Sequence, residues 1–338
     1  MVCSLRTSKL WRCGRLIRET INHIKESLPE YFITDQPEAF RILLRAKSIC
    51  FLDTCFVSRL IFLAKEVDIY TAFEKMAGGR DKEDIVFVIT ELVLYELKDS
   101  KEPVLQSRNR ELFKNINANG FTIIVITEES VCENINTYVS KSKAAWNSLL
   151  LKYLAENKAN MSKLFSVMRD SGDSLQESIY DGTIGTVRQT DFIFELISGI
   201  KERKCPEDSL AEELIGVSLF FVLELIKDSN RNAIYFCSHD LPAIDRFNKV
   251  IRTSFSGVDI SIKTISFFSF IAYMVENGLI LDREYLVNIL DKTFGKVLNV
   301  IETNESVIQP TPVQKSADEV SRDLIGGVKL VYVGKVLK

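Results

Sequence analysis

The sequence predicts an α/β protein: a three-layer α/β/α sandwich with a mostly parallel central sheet, a helical insertion, and N- and C-terminal extensions. Short apolar runs rich in Ile, Val and Phe recur along the chain, as expected for strands buried on both faces of a parallel sheet. Helical patterns separate these runs, which is the alternation that parallel strands require. The predicted strands are ICFLD (49–53), residues 85–89, FTIIVIT (121–127), YFCSHD (235–240) and VDISIKTI (258–265).

Helices are predicted before, between and after these strands. Residues 7–47 read as two helices, and one of them carries an apolar stripe through Leu16, Ile17, Ile21 and Ile24. DIYTAFEKM (68–76) is predicted to form a helix between the first two strands. The other predicted helices follow the last strand, at 268–276 and 283–297.

These elements suggest four regions. Residues 1–47 form a helical extension, and 48–270 form the α/β domain with a polar, mainly helical insertion at about 137–207. Insertions on a rigid scaffold often hold substrate, so we expect this one to act as a lid or clamp. The third region, 271–307, holds C-terminal helices. In 308–338 a Pro-bearing linker precedes a terminal hairpin or edge strand built around a Gly-Gly turn.

Composition indicates a globular cytoplasmic protein. The 46% hydrophobic content is enough for a sizeable core. The seven cysteines are odd in number and dispersed, with no CxxC pair, which favours reduced thiols over disulfides or a zinc module. Neither a signal-peptide core nor an apolar run of bilayer-spanning length is present, so we expect no membrane association.

Carboxylates lie at or just beyond several of the apolar runs. Asp53 closes the first, Glu96 follows the second, Glu212 and Glu213 open a long apolar helix, and Asp240 closes the fourth strand. The carboxyl ends of parallel strands share one edge of the sheet, where open α/β folds bind their ligands. Acids gathered there repel one another and lose solvation, a cost that a hard divalent cation offsets. The pattern therefore predicts a Mg²⁺ or Mn²⁺ site.

Four segments around these acids resemble, in order, the motifs of PIN-domain nucleases. FLDTCFVSRL (51–60) resembles the opening strand, with Asp53 followed by the hydroxyls of Thr54 and Ser58. The next three segments are VFVITELVLYELKD (86–99), EELIGVSLFF (212–221) and YFCSHD. The resemblance covers roughly residues 48–270.

The resemblance implies an endonuclease that hydrolyses nucleic-acid phosphodiester bonds with one or two Mg²⁺ or Mn²⁺ ions, and it favours RNA over DNA as the substrate. It implies that the acids hold the metal while Thr54, Ser58 and Ser238 position the carboxylates or a water molecule. The chain departs from the family where the third acid is Glu instead of Asp, and where Cys55 replaces a common Asn. The resemblance also suggests a protein partner, either a second copy of the chain in a homodimer or an inhibitory protein.

Local alternatives exist for several of these residues. Ser209 and Glu212 match a capping box, in which Glu212 would bond to backbone N–H instead of a metal. Glu213 or Asp208 would then supply the third acid. Asp245 lies about one turn after Asp240 and competes with it as the fourth. His239 is a candidate general base, although an exposed neighbour of the site is its commoner role.

Nucleic-acid contacts are harder to place, because the net charge is −3. The basic cluster Lys201, Arg203 and Lys204 precedes the third motif and is predicted to bind phosphates, the alternative being a solvated helix face. Phosphate-loop, dinucleotide-binding and serine-hydrolase motifs are all missing from the sequence, which leaves the acids without a competing motif. A catalytically inactive PIN-like module that binds RNA or a protein is the alternative function.

Overall fold

The computed structural model describes residues 17–65, 67–131, 143–169, 197, 200–201, 203–205, 208–226, 233–255, 261–303 and 311–334. The strands are β1 (Phe32–Ile33), β2 (Ser48–Leu52), β3 (Ile85–Thr90), β4 (Thr122–Ile126), β5 (Ala233–Ser238), β6 (Ser261–Ser266), β7 (Val297–Glu302), β8 (Val313–Ser316) and β9 (Leu330–Tyr332).

Helices connect and flank the strands. They are α1 (17–26), α2 (Gln36–Arg45), α3 (Thr54–Leu63), α4 (Ile69–Met76), α5 (Glu91–Glu96), α6 (Ser107–Ala118), α7 (Lys143–Glu156), α8 (Ser162–Arg169), α9 (Leu210–Ile226), α10 (Leu241–Ser254), α11 (Phe267–Glu276), α12 (Arg283–Phe294) and α13 (Ala317–Ile325). No described helix combines the length and apolarity needed to cross a membrane.

The main sheet has six parallel strands in the order β1-β4-β3-β2-β5-β6, which confirms the predicted α/β class and the parallel sheet. Every residue of β2, β3 and β5 is buried, because helices cover both faces of the central strands. The edge strand β6 keeps partly exposed positions. The predicted strands at 49–53, 85–89, 121–127 and 235–240 are therefore confirmed to within a few residues.

The strand order reverses direction at one point of this sheet, between β2 and β5. The chain runs from β2 outward through β3 to β4, and then returns to the other side of β2 to form β5 and β6. The carboxyl ends of β2 and β5 therefore flank the point where the order reverses, which is the usual ligand crevice of open parallel sheets. Asp53 directly follows β2 at this point, and Ser238 ends β5.

The two N-terminal helices are confirmed where the chain is described. Ile17, Ile21 and Ile24 of α1 are buried, as the apolar stripe predicts. Asp35 caps α2 by accepting a hydrogen bond of 2.9 Å from the Glu38 amide. Between these helices lies the short strand β1, which the sequence pattern did not indicate.

The C-terminal region differs from the prediction. A helix was expected to continue to Val297, but α12 ends at Phe294 because Gly295 adopts a φ of 96° that favours glycine, and β7 follows. Residues 313–319 form β8 and the start of α13 instead of a linker. The expected Gly-Gly hairpin turn lies at the C-terminal end of α13.

The last strand is nevertheless an edge strand. This was one of the two structures predicted for the C-terminal residues, the other being a hairpin. β7 pairs antiparallel with β8 on one side and with β9 on the other, forming a separate three-stranded sheet. Aromatic packing joins this sheet to the main domain through α11. Phe267 packs against Phe56 of α3 at 5.6 Å between ring centroids, and Phe268 packs against Tyr332 of β9 at 5.8 Å.

About half of the predicted insertion at 137–207 lies outside the described residues. The described part of the insertion includes α7 and α8, and α8 contacts α9. The lid or clamp role therefore stays a prediction.

Candidate active site

A cavity of about 440 Å³ opens at the carboxyl edge of the main sheet, beside the end of β2. Its charged lining residues are four carboxylates and two lysines: Asp53, Glu96, Asp208, Glu212, Lys98 and Lys204. Of the predicted acids, the structure brings Asp53, Glu96 and Glu212 together here. They reach the cavity from the end of β2, from the end of α5 and from the first turn of α9.

Asp53 is held by two hydrogen bonds to one carboxylate oxygen. Its Oδ2 accepts from the Ser238 hydroxyl and from the Cys55 thiol, each at 2.7 Å. Ser238 therefore positions this carboxylate, the role proposed for it from the resemblance. Asp53 is only 1% exposed, and its position as the residue before α3 involves no capping hydrogen bond from its side chain. Its carboxylate therefore lines the cavity and does not cap the helix.

Glu96 has a partner on each oxygen. The Thr54 hydroxyl donates a short hydrogen bond to Oε2, and the Lys204 ammonium lies 2.7 Å from Oε1. Thr54 thus positions a carboxylate, as expected from the resemblance. Ser58 is half-buried on α3 and is not among the described residues that line the cavity.

Glu212 and Glu213 have different environments. Glu213 accepts hydrogen bonds from the backbone amides of Leu164 at 2.6 Å and Lys163 at 3.1 Å, which satisfies free N–H groups at the start of α8. Glu212 faces the cavity, and its buried Oε2 has no hydrogen-bond partner among the described residues. Ser209 bonds to Glu213 at 3.1 Å, so the structure does not form the capping box with Glu212.

The other alternative, Asp208, also lines the cavity, but Lys204 and the Cys205 amide occupy its two oxygens. Glu212 is therefore the third acid with an oxygen available at this cavity.

Asp240 lies at the margin of the site. Its amide donates to the Ser238 hydroxyl at 3.0 Å, but its carboxylate is 41% exposed and is absent from the described lining of the cavity. Its competitor Asp245 pairs with Lys249 on the exposed face of α10. The His239 ring packs against Phe267 and Phe294, and burial lowers the pKa of His239 to about 4. That environment gives His239 an aromatic packing role.

Two carboxylates at the cavity, those of Asp53 and Glu212, resist ionisation. Burial raises the pKa of Asp53 to about 6, with the Glu96 charge adding to the increase. Burial, followed by repulsion from Asp53 and Glu96, raises the pKa of Glu212 to about 8. A cation between these groups would remove the repulsion, and carboxylate oxygens are the ligands that Mg²⁺ and Mn²⁺ prefer. The unpartnered Glu212 oxygen and the all-oxygen donor set therefore fit a hard divalent cation.

The predicted nucleic-acid cluster is not a basic surface. Lys201 is 5% exposed and Lys204 is 8% exposed, and both are ion-paired inside the protein. The prediction of a solvent-facing phosphate-binding cluster is therefore wrong for these two lysines, because each neutralises buried carboxylates. Arg203 is half-buried between them. Of the three, Lys204 alone lines the cavity.

Lys201 lies in a second acidic cluster, which the sequence reasoning missed. Its ammonium contacts Glu91, lies 2.6 Å from Glu129 and 3.0 Å from Glu128, and Lys25 adds a second cation at 2.6 Å from Glu91. The oxygens of the three glutamates lie within 4.8 Å of one another, a spacing that could hold a metal ion.

This cluster already contains its own cations. Burial raises the pKa of Glu91, but the Lys201 and Lys25 charges outweigh it and bring that pKa down to about 2. We therefore assign the Glu91, Glu128 and Glu129 cluster a structural role, and the cavity at Asp53 the role of candidate metal site.

Several other residues at the cavity were not predicted. Cys55 accepts a hydrogen bond from the His239 amide at 3.0 Å while donating to Asp53, so it cross-links the ends of β2 and β5. Tyr95 and Lys98 line the cavity with the Lys98 ammonium 4.4 Å from the Tyr95 ring centroid. The signal available for Tyr95 and Lys98 was their position within two residues of Glu96 in the sequence.

Comparison of the chain with protein-family models, with curated proteins and with solved structures finds no match.

Proposed function

We propose that this chain is a metal-dependent nuclease with a PIN-like active site, which hydrolyses phosphodiester bonds of nucleic acid with Mg²⁺ or Mn²⁺. The observation that carries the proposal is the cavity at the β2 end, where Asp53, Glu96 and Glu212 converge. RNA is proposed over DNA on the motif resemblance alone.

The distribution of charge supports this chemistry. Among the carboxylates at the cavity, Asp53 and Glu212 have raised pKa values, and they would bind the cation. A bound Mg²⁺ or Mn²⁺ supplies charge stabilisation at the phosphate and lowers the pKa of water. Ser238 and Cys55 hold the Asp53 carboxylate in place, which fixes one side of the site before substrate arrives.

The margin of the cavity offers contacts for a nucleic-acid strand. Lys98 can pair with a phosphate, and Tyr95 presents an aromatic ring on which a base can stack. These residues replace the buried Lys201 and Lys204 as proposed strand contacts. A single strand suits this arrangement, since a base can reach Tyr95 only when it is unpaired.

The test is cleavage of a fluorescently labelled single-stranded RNA by the full chain. We expect cleavage with Mn²⁺ or Mg²⁺, loss of cleavage in EDTA, and loss in Asp53→Asn. The matched control is Asp245→Asn, which removes an exposed carboxylate of α10 and should keep the parent rate. Cleavage that survives both EDTA and Asp53→Asn would reject the proposal.

One observation favours the alternative of an inactive binding module: the Asp240 carboxylate lies outside the cavity, so the fourth acid is not assembled with the other three. Binding of the labelled RNA with no cleavage in either metal would assign that alternative. Titration of the protein with Mn²⁺ then separates a site that binds no metal from one that binds metal without cleaving.

A further inference from the structure

Lys204 places a fixed positive charge in the wall of the proposed metal site. Its side chain is 3% exposed, and its ammonium lies 2.7 Å from Glu96 Oε1 and 2.6 Å from Asp208 Oδ1. The backbone carbonyls of Asp208 at 3.0 Å and Cys205 at 3.2 Å accept further hydrogen bonds. An ammonium has three N–H groups, so four oxygens satisfy it completely. Lys204 is therefore surrounded by oxygen in the way that a bound cation would be.

This arrangement removes Glu96 from the set of free metal ligands. Lys204 occupies one of its carboxylate oxygens, and the Thr54 hydroxyl occupies the other. Asp208 is occupied as well, because its Oδ1 accepts from Lys204 and its Oδ2 accepts from the Cys205 amide. That leaves Asp53 and Glu212 as the lining carboxylates with an oxygen that none of these groups holds. Glu212 Oε2 is buried without a partner among the described residues, and the Ser238 and Cys55 hydrogen bonds to Asp53 both go to Oδ2.

We propose that the Lys204 ammonium takes the place of a second divalent cation, so that this site binds one metal ion, at Asp53 and Glu212. The inference rests on the proposed function, because it concerns the same metal site. In two-metal hydrolases the ions lie about 3.5–4 Å apart and share carboxylate ligands. A second ion here would need the Glu96 oxygen that Lys204 holds.

Charge balance supports a single ion. The lining carboxylates Asp53, Glu96, Asp208 and Glu212 carry four negative charges when ionised. Lys204 balances one of them and a divalent cation balances two. A second divalent cation would give this cluster a net positive charge while Lys204 remains in place. With one divalent cation the net charge is −1, which the lining residue Lys98 balances.

The test counts Mn²⁺ ions bound per chain. Mn²⁺ is titrated into the full-length protein by isothermal calorimetry, and electron paramagnetic resonance detects the magnetic coupling of two close Mn²⁺ ions. We expect the parent to bind one uncoupled Mn²⁺. Lys204→Met keeps the length of the side chain but frees Glu96 and Asp208, and it should bind two coupled ions. The control Lys249→Met removes an exposed lysine and should match the parent.

A second variant tests the inference with Lys204 itself unchanged. Glu96→Gln should still bind one Mn²⁺, with an affinity within about tenfold of the parent, because Glu96 is not a ligand of the single ion. If Glu96 were instead a ligand shared by two ions, Glu96→Gln would lower the number of Mn²⁺ ions bound. This measurement remains decisive if Lys204→Met fails to fold.

The outcomes separate the inference from the proposed function. A parent that binds two coupled ions, or a folded Lys204→Met that binds one, overturns the role of Lys204 and leaves the metal-dependent nuclease standing. Loss of all Mn²⁺ binding in Glu96→Gln overturns the single-ion assignment in the same way. A parent that binds no Mn²⁺ rejects the proposed function, and the inference with it.

Discussion

Glu212 and Glu213 are adjacent in the chain, yet their carboxylates serve different parts of the protein. Glu213 bonds to the amides of Lys163 and Leu164 at the start of α8, whereas Glu212 lines the cavity beside Asp53. Successive residues of a helix point about 100° apart, so one turn of α9 serves both positions. Substitutions at these two positions are therefore expected to have opposite effects on the stability of the metal-free protein.

Glu212→Gln should change how stability depends on pH in the metal-free protein. The pKa of Glu212 rises from 4.5 to about 8 in the folded chain, so the folded state holds a proton that the unfolded state has lost. The contribution of protonated Glu212 to the free energy of unfolding should therefore be fully present below about pH 4.5. It should be lost as the pH rises towards 8. The variant lacks this loss and should be more stable at pH 8 by on the order of 2 kcal/mol. Urea unfolding in EDTA at pH 5 and pH 8 measures this, and equal pH dependence in the two proteins would contradict it.

Glu213→Ala should behave in the opposite way. It leaves two backbone N–H groups at the start of α8 without their carboxylate, at a cost of about 1–3 kcal/mol. Thermal unfolding at neutral pH should show the loss. The increase in melting temperature caused by Mn²⁺ should equal that of the parent. A lost Mn²⁺ response would instead make Glu213 a metal ligand.

Lys201→Met should be among the most destabilising single substitutions in the described chain. It removes the ammonium between Glu91, Glu128 and Glu129 and leaves their charges facing one another in a buried position. Removing one partner of a buried ion pair typically costs about 3–5 kcal/mol. Chemical denaturation against Lys249→Met, which should change stability by less than about 0.5 kcal/mol, measures the difference. A small effect of Lys201→Met would show that the three glutamates find another cation, such as a bound metal ion.

Lys98 and Tyr95 should contribute to the affinity of the protein for single-stranded RNA. RNA affinity is best measured in the Asp53→Asn background, where we expect no cleavage. Lys98→Gln should weaken binding and reduce the slope of log affinity against log salt concentration by about 0.7, since one counterion fewer is released. Tyr95→Ala should weaken binding by about 1–3 kcal/mol with an unchanged slope, because it removes stacking. The exposed α6 residue Lys114, changed to Gln, is the control, and a Lys98 variant indistinguishable from it would exclude this margin as the strand contact.

The local patterns of the sequence were sufficient to predict most strands of the main sheet. Near-continuous apolar runs marked β2, β3 and β5, because strands covered on both faces have no polar side to alternate with. The C-terminal sheet was missed apart from its last strand. Its strands are short and partly exposed, and Gly295 separates β7 from a helix whose pattern continued towards it.

The sequence by itself determined that Asp53 follows a buried strand, that Glu96 follows the next one, and that one of two adjacent glutamates would join them. Tertiary structure alone decided that Glu212 faces the cavity, that Asp240 lies at its margin, and that Lys201 and Lys204 are buried. Local pattern reports which residues share a strand or helix, whereas the partner of a charge comes from a distant part of the chain. Lys201 meets Glu91 across 110 residues, and no spacing in the sequence records that contact.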